Sequence, residues 1–137
     1  MNLQKILVPA LVVGIVANIL DFIFHGMIMK DYYAGLTIFN QEMSVGWLVF
    51  GDFVAALVFV CVYDRVQGSF AAGPTGGATY GLYAGILVNF PTWIFSSMLI
   101  TGFTYGLAWI WTIYGIIWGI VSGAVMGALY KKGTSGS

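Results

Sequence analysis
A carboxylate and an imidazole, Asp21 and His25, stand four residues apart in a segment that is otherwise apolar, LVPALVVGIVANILDFIFHGMIM. Gly14 and Asn18 join them. At 100° per residue all four fall within an arc of roughly 60° on one helix face. Polar groups inside a membrane helix are costly, so they face a protein interior or a wet cavity and mark a functional site by default. Asp52 lies in a second apolar segment. It sits about seven residues from the outer end of its helix and Asp21 about eight from the outer end of its own, so at ~1.5 Å per residue the two share a depth. If these helices form a hairpin, Asp21, His25 and Asp52 meet in the outer half of the membrane. Two carboxylates at close range do not both ionise cheaply, so one is expected to hold a proton near neutral pH or to share it with His25. That is the physical basis of proton-linked chemistry.

Three readings of this stripe stay open. It is an internal hydrogen-bonded cluster fixing helix register, with Asp21 bonded to His25 at i,i+4; or a binding or transport site for a small molecule, cation or proton; or a metal or cofactor site. For a metal, His25 and Asp21 are the candidate ligands, and even with Asp52 the set is thin for zinc. Haem held by two histidines needs a second His from another chain. Single axial ligation of haem or chlorophyll by His25, or a quinone beside it, is the remaining cofactor option. Without a membrane-embedded lysine, a retinal Schiff base is excluded. Ser96 and Ser97 have no local base other than a distant His25, so no nucleophilic constellation exists, and catalysis is not the favoured reading. The glycines of AAGPTGGATYG read as a linker running into a helix rather than a phosphate-binding loop.

Composition sets the medium. Of 137 residues, 60% are hydrophobic and only 7% are charged, against about 25% charged in a soluble domain. The chain reads as a membrane protein whose first partner is the lipid bilayer. Net charge is zero and no basic patch exists, which excludes nucleic-acid binding. Cys61, inside an apolar run, is an apolar filler.

Four apolar segments, at about 6–29, 45–63, 77–101 and 106–130, are each near or above the ~20 residues a hydrocarbon core requires. The first absorbs Asp21 at a cost of up to ~3 kcal/mol, which its many Leu, Ile, Val and Phe residues outweigh at about 0.3–0.6 kcal/mol each. It resembles a signal peptide in having Lys5 ahead of an apolar run. The run is too long and lacks a small-residue cleavage site, so it is expected to be retained. Lys5, Arg65, Lys131 and Lys132 fall on one side and Lys30 alone on the other. The positive-inside rule therefore places both termini in the cytoplasm, in an inner or plasma membrane. Trp47, Trp109, Trp111, Tyr32, Tyr33 and Tyr105 then form an aromatic belt at the outer interface, with Trp93 and Trp118 deeper, lining the bundle.

A shift of 71 residues lays GIVANILDFIFHGMIMKDYYAGL over GILVNFPTWIFSSMLITGFTYGL. Gly14 pairs with Gly85, Asn18 with Asn89, Asp21 with Thr92 and His25 with Ser96; Trp47 pairs with Trp118. The chain is thus expected to be two fused helical hairpins, about 1–65 and 72–132, as a parallel repeat about an axis along the membrane normal. Asn89, Thr92 and Ser96 are the second half's polar contacts to the site.

Glycine rows define packing. Gly77, Gly81 and Gly85 lie on the third span, and Gly115, Gly119, Gly123 and Gly127 on the fourth. Such rows let backbones approach in lipid, where the hydrophobic effect does not drive association. Either the third and fourth spans pack on each other within the chain, or one row faces another subunit. Pro91 predicts a kink, and its missing N–H frees the Leu87 carbonyl for Asn89 or water.

The expected fold is all-α, a single four-helix transmembrane domain over 1–132, with GTSGS at 133–137 an expression remnant. The expected function is a small binding or transport unit with Asp21, His25, Asp52, Asn18, Asn89, Thr92 and Ser96 around an outer-half cavity, completed in a homo-oligomer. The alternative is a non-catalytic subunit of a larger membrane complex, docking through a glycine row and holding a haem, chlorophyll or quinone near His25.

Overall fold
Four long apolar helices carry the chain, in a computed structural model that describes residues 3–40 and 42–130. Helix α1, Leu3–Asp21, runs without a break into π-helical turns over Phe22–Ile28; a short α2, Lys30–Ala34, follows. Helix α3 covers Val45–Val66 and ends in a 3₁₀ turn at Gln67–Ser69; α4 covers Pro74–Leu99 and α5 Tyr105–Leu129. The four apolar stretches span 26, 25, 26 and 25 residues, more than the ~20 needed to cross a bilayer. The four expected spans are therefore present, extended by about a turn where Leu3 starts α1 and Pro74 starts α4. Lys131, Lys132 and the tail at 133–137 lie outside the described residues.

Local chemistry sets the helix ends. The Thr104 hydroxyl caps α5 by accepting from the Leu107 amide at 3.1 Å, satisfying one of the free donors of a first turn. Gly73, at φ 81°, turns the chain into α4, whose first residue is Pro74. There the missing N–H costs nothing, because a first-turn amide has no helical partner.

Pro91 sits inside α4, and the helix continues through it to Leu99. Asn89 does not turn to the Leu87 carbonyl, as the sequence suggested. Its amide donates to Gly85 O at 2.9 Å, because an asparagine side chain reaches back one helical turn more readily than it reaches a carbonyl two residues away. The turns around Pro91 are bonded instead by hydroxyls: Thr92 to Val88 O at 2.5 Å, Ser96 to Thr92 O at 2.7 Å and Ser97 to Ile94 O at 2.7 Å. Such back-bonding satisfies a hydroxyl in an apolar medium.

The glycines decide which helices touch. A Cβ on Gly77 would stand 2.0 Å from Gly123 O, and one on Gly81 1.8 Å from Gly119 O. From the other side, Cβ atoms on Gly119, Gly123 and Gly127 would meet the carbonyls of Gly81, Gly77 and Gly73 at 2.3, 2.1 and 2.4 Å. Helices α4 and α5 are therefore in backbone contact along both rows, within one chain. Gly85 lies against Ile116 and Gly115 against the Asn89 side chain. Helices α1 and α3 meet at Gly14, where the Phe53 ring of α3 fills the space a side chain would take.

Two apolar clusters join the α1–α3 and α4–α5 pairs. At the end that holds Lys5 and Arg65, Ile6, Ala10 and Val13 of α1 meet Ala56, Val60 and Tyr63 of α3, Tyr80 of α4, and Met126 and Tyr130. There the Tyr80 hydroxyl donates to Phe59 O at 2.9 Å, and Tyr130 donates to the Asp64 carboxylate. At the opposite end Phe103, Leu107 and Ala108 are covered by Tyr33 of α2 and by Leu36, Ile38 and Phe39 from the segment after it, with Trp93 and Trp111. Outward faces carry exposed Leu7, Leu11, Ile19, Leu87 and Ile113, the surface expected of helices solvated by lipid rather than water.

Candidate functional site
The change from α to π geometry after Asp21 sets the site. In the π turns the amide of each residue reaches back five positions, as Met29 N does to Phe24 O at 2.9 Å. Each residue then advances less around the axis than in an α-helix, and such insertions recur at functional sites. His25 is rotated away from its α-helical position over Asp21. The bond expected between them is absent, and each finds a different partner.

Asp21 of α1 accepts a hydrogen bond from the Tyr114 hydroxyl of α5. Asp52 of α3 brings its carboxyl within side-chain hydrogen-bond reach of the Asp21 carboxyl. Three spans thus deliver two carboxyls and a phenol to one point. Carboxyl oxygens bond each other only when one carries a proton. Phe24 stacks on Tyr114 with ring centroids 3.8 Å apart and planes 1° from parallel, covering one face of the phenol.

His25 forms the second half of the cluster. Its Nδ1 lies 2.5 Å from the Tyr33 hydroxyl, and the same oxygen accepts from Trp111 Nε1 at 2.7 Å. With a Tyr33 lone pair engaged by the indole N–H, the phenol proton is free to be donated to Nδ1, which assigns the neutral ring its proton on Nε2. Four rings wall the imidazole: Phe24 at 4.9 Å, Tyr114 at 5.1 Å, and Tyr33 and Trp111 each at 5.8 Å. Burial pushes the Tyr33 phenol up to about 12, the Trp111 bond works against that rise, and the nearby Asp21 and Tyr32 add to it. Tyr33 is therefore a neutral hydrogen-bonding group throughout the physiological range.

Asp21 and Asp52 come together as their depths predicted, and His25 joins through shared aromatic neighbours rather than through a carboxylate. Asn18 spends its amide on Gly14 O at 2.8 Å. Asn89 donates to Gly85 O and accepts from Trp93 Nε1 at 3.0 Å, and its own carbonyl receives the Thr112 hydroxyl at 3.5 Å. The hydroxyls of Thr92 and Ser96 bond carbonyls of α4. Among the described residues no three His, Cys, Asp or Glu side chains converge as a metal-ligand set.

Tyr114 is the residue that sequence reasoning passed over. Its signal was a hydroxyl in the middle of an apolar span, WIWTIYGIIWG, beside a packing glycine. Tyr33 and Trp111 read as interface anchors from their place at a span end. In the folded chain Trp111 bonds Tyr33 and Tyr33 bonds His25, because α2 and the segment after it fold back over the bundle end.

No protein-family model matches this sequence, and comparison with curated proteins and with solved structures returns no match. Fold and site together define a class: an all-helical chain with four helices long and apolar enough to cross a membrane, carrying a carboxyl–phenol–imidazole cluster toward one end.

Proposed function
We propose that this chain is an integral membrane protein that binds or conducts protons at the Asp21–Asp52 pair. The observation that carries the reading is the convergence of Asp21, Asp52 and the Tyr114 hydroxyl from three separate spans. Ionisable groups inside spans are expensive, and pairing them is how proton relays are built. In this reading Asp52 and Asp21 share a proton, Tyr114 positions the acceptor oxygen, and the His25–Tyr33 couple connects the pair to the nearer membrane surface. The Lys5 and Arg65 end is cytoplasmic by the positive-inside rule, so the cluster opens toward the outer leaflet of an inner or plasma membrane.

The test is proton flux into reconstituted vesicles loaded with a pH-sensitive dye and driven by a potassium diffusion potential. Wild-type protein is expected to acidify the lumen faster than protein-free vesicles, and Asp52→Asn to remove the difference while leaving helicity intact. Equal rates in wild-type and protein-free vesicles would falsify the proposal.

The packing of Phe24 on Tyr114 favours one competing reading, a polar staple that fixes the register of α1 against α5. A staple survives isosteric neutralisation, so a folded, equally stable Asp21→Asn/Asp52→Asn protein that still conducts would support it as the whole role of the pair. We also read the chain as two fused hairpins. In support, Asn18 bonds Gly14 O and Asn89 bonds Gly85 O, the same i to i−4 bond at positions related by the 71-residue shift.

A further inference from the structure
The bundle is open along one side. Helix α4 is held to α5 by glycine backbone contact, while α3 packs on α1. Helices α3 and α4 meet where Tyr80 bonds Phe59 O, and beside that contact they enclose a cleft of about 700 Å³. Its walls include Val58, Val62 and Val66 of α3 and Tyr83, Ala84 and Leu87 of α4; Trp118 of α5 forms the floor and Asn89 the inner end. None of the residues lining it is charged.

Three physical arguments identify an occupant. Apolar cavities of this kind stay dry, and unfilled walls forfeit dispersion contacts; inside a bilayer the available filler is hydrocarbon. The cleft also has the length of one leaflet. From Val66 to Ala55 on α3 is ~16 Å and from Tyr80 to Asn89 on α4 ~14 Å at the α-helical rise, against ~15 Å for half a hydrocarbon core. At the surface end stand Ser69 and Tyr83, the latter 62% exposed, at the depth where a lipid's polar group meets aromatic residues.

We infer that the α3–α4 cleft holds one acyl chain of a phospholipid from the leaflet beside the α3–α4 connection, with the lipid's polar end at Ser69 and Tyr83 and the chain's methyl end near Asn89 and Trp118. The site is independent of the Asp21–Asp52 proposal. Filling it from either wall, with Ala84→Phe on α4 or Val58→Phe on α3, closes it to the chain.

The test uses the full protein in vesicles containing a phosphatidylcholine whose acyl chain ends in a photoactivatable diazirine. After illumination, adducts are mapped by peptide mass spectrometry. Labelling is expected to concentrate on Val88, Asn89 and Trp118 and to exceed that on the lipid-facing Leu11 and Ile19. Both plugged variants, checked for helicity and monodisperse elution, are expected to lose the cleft adducts and to keep those on Leu11 and Ile19. Cleft labelling no greater than that on α1, or cleft labelling unchanged in whichever plugged variant folds, overturns the inference. So does a stable dimer joined by disulfide through Val58→Cys.

Discussion

The Tyr114 hydroxyl of α5 donates to the Asp21 carboxylate of α1, joining residues 93 positions apart. The bond ties the most costly polar group of the first span to the last. Tyr114→Phe removes the donor while keeping the stack on Phe24. A lost bond to a charged group, half-buried here, is expected to cost about 1–2 kcal/mol. Reversible unfolding in mixed micelles measures it. In a double-mutant cycle with Asp21→Asn the two losses should fall short of additivity, since each removes the same contact; strict additivity would show that the bond contributes nothing.

Tyr33 supplies a pH dependence. Its phenol is raised from 10.0 to about 12, by burial first, so the folded state disfavours the phenolate. The contribution is fully present below pH 10, where Tyr33 is neutral in folded and unfolded chains alike. It is lost as pH rises through about 12, because the unfolded chain ionises first. Stability followed from pH 9 upward should decline less steeply in Tyr33→Phe than in wild type. Parallel curves would refute the assignment.

The glycine contacts predict a sharp contrast between two substitutions of one kind. At Gly81 an added methyl would lie 1.8 Å from Gly119 O, a backbone atom that cannot rotate away, whereas at Gly51 it would meet nothing within 4 Å. Gly81→Ala must push α4 and α5 apart and should cost about 3 kcal/mol or more. Gly51→Ala, at an open helical position, should be neutral or stabilising by up to ~1 kcal/mol. Unfolding midpoints of the two variants decide the matter, and equal midpoints would contradict the backbone contact.

Asn89 and Asn18 bond their own helices alike and differ in what surrounds them. Asn89 also accepts from Trp93 and fills the space above Gly115. Asn18→Ala gives up one bond, worth ~0.6 kcal/mol on the scale of polar contacts in membrane helices. Asn89→Ala leaves the Trp93 N–H without its acceptor and opens a gap at the α4–α5 seam, so a loss of about 2 kcal/mol is expected. Similar losses at both positions would indicate that the seam does not depend on Asn89.

Hydropathy and length determine the number of spans and their bounds to within a turn, because the requirement to bridge a hydrocarbon core acts on composition alone. The glycine rows likewise announce a backbone contact: a carbonyl at van der Waals distance from the facing Cα tolerates no Cβ, whatever the rest of the fold does. Depth counting brings Asp21 and Asp52 together for the same reason, since helical rise is constant. Partners are a different matter. Asp21 bonds Tyr114 and His25 bonds Tyr33 because the helix widens after Asp21 and the 30–39 segment folds over the bundle end. Both depend on competition among packed rings, which residue spacing does not encode. The α3–α4 cleft is also a tertiary outcome. It exists because α4 is committed to α5 by its glycines and α3 to α1 by Phe53 on Gly14, leaving the small side chains of Ala55, Val58 and Ala84 to face a gap between α3 and α4.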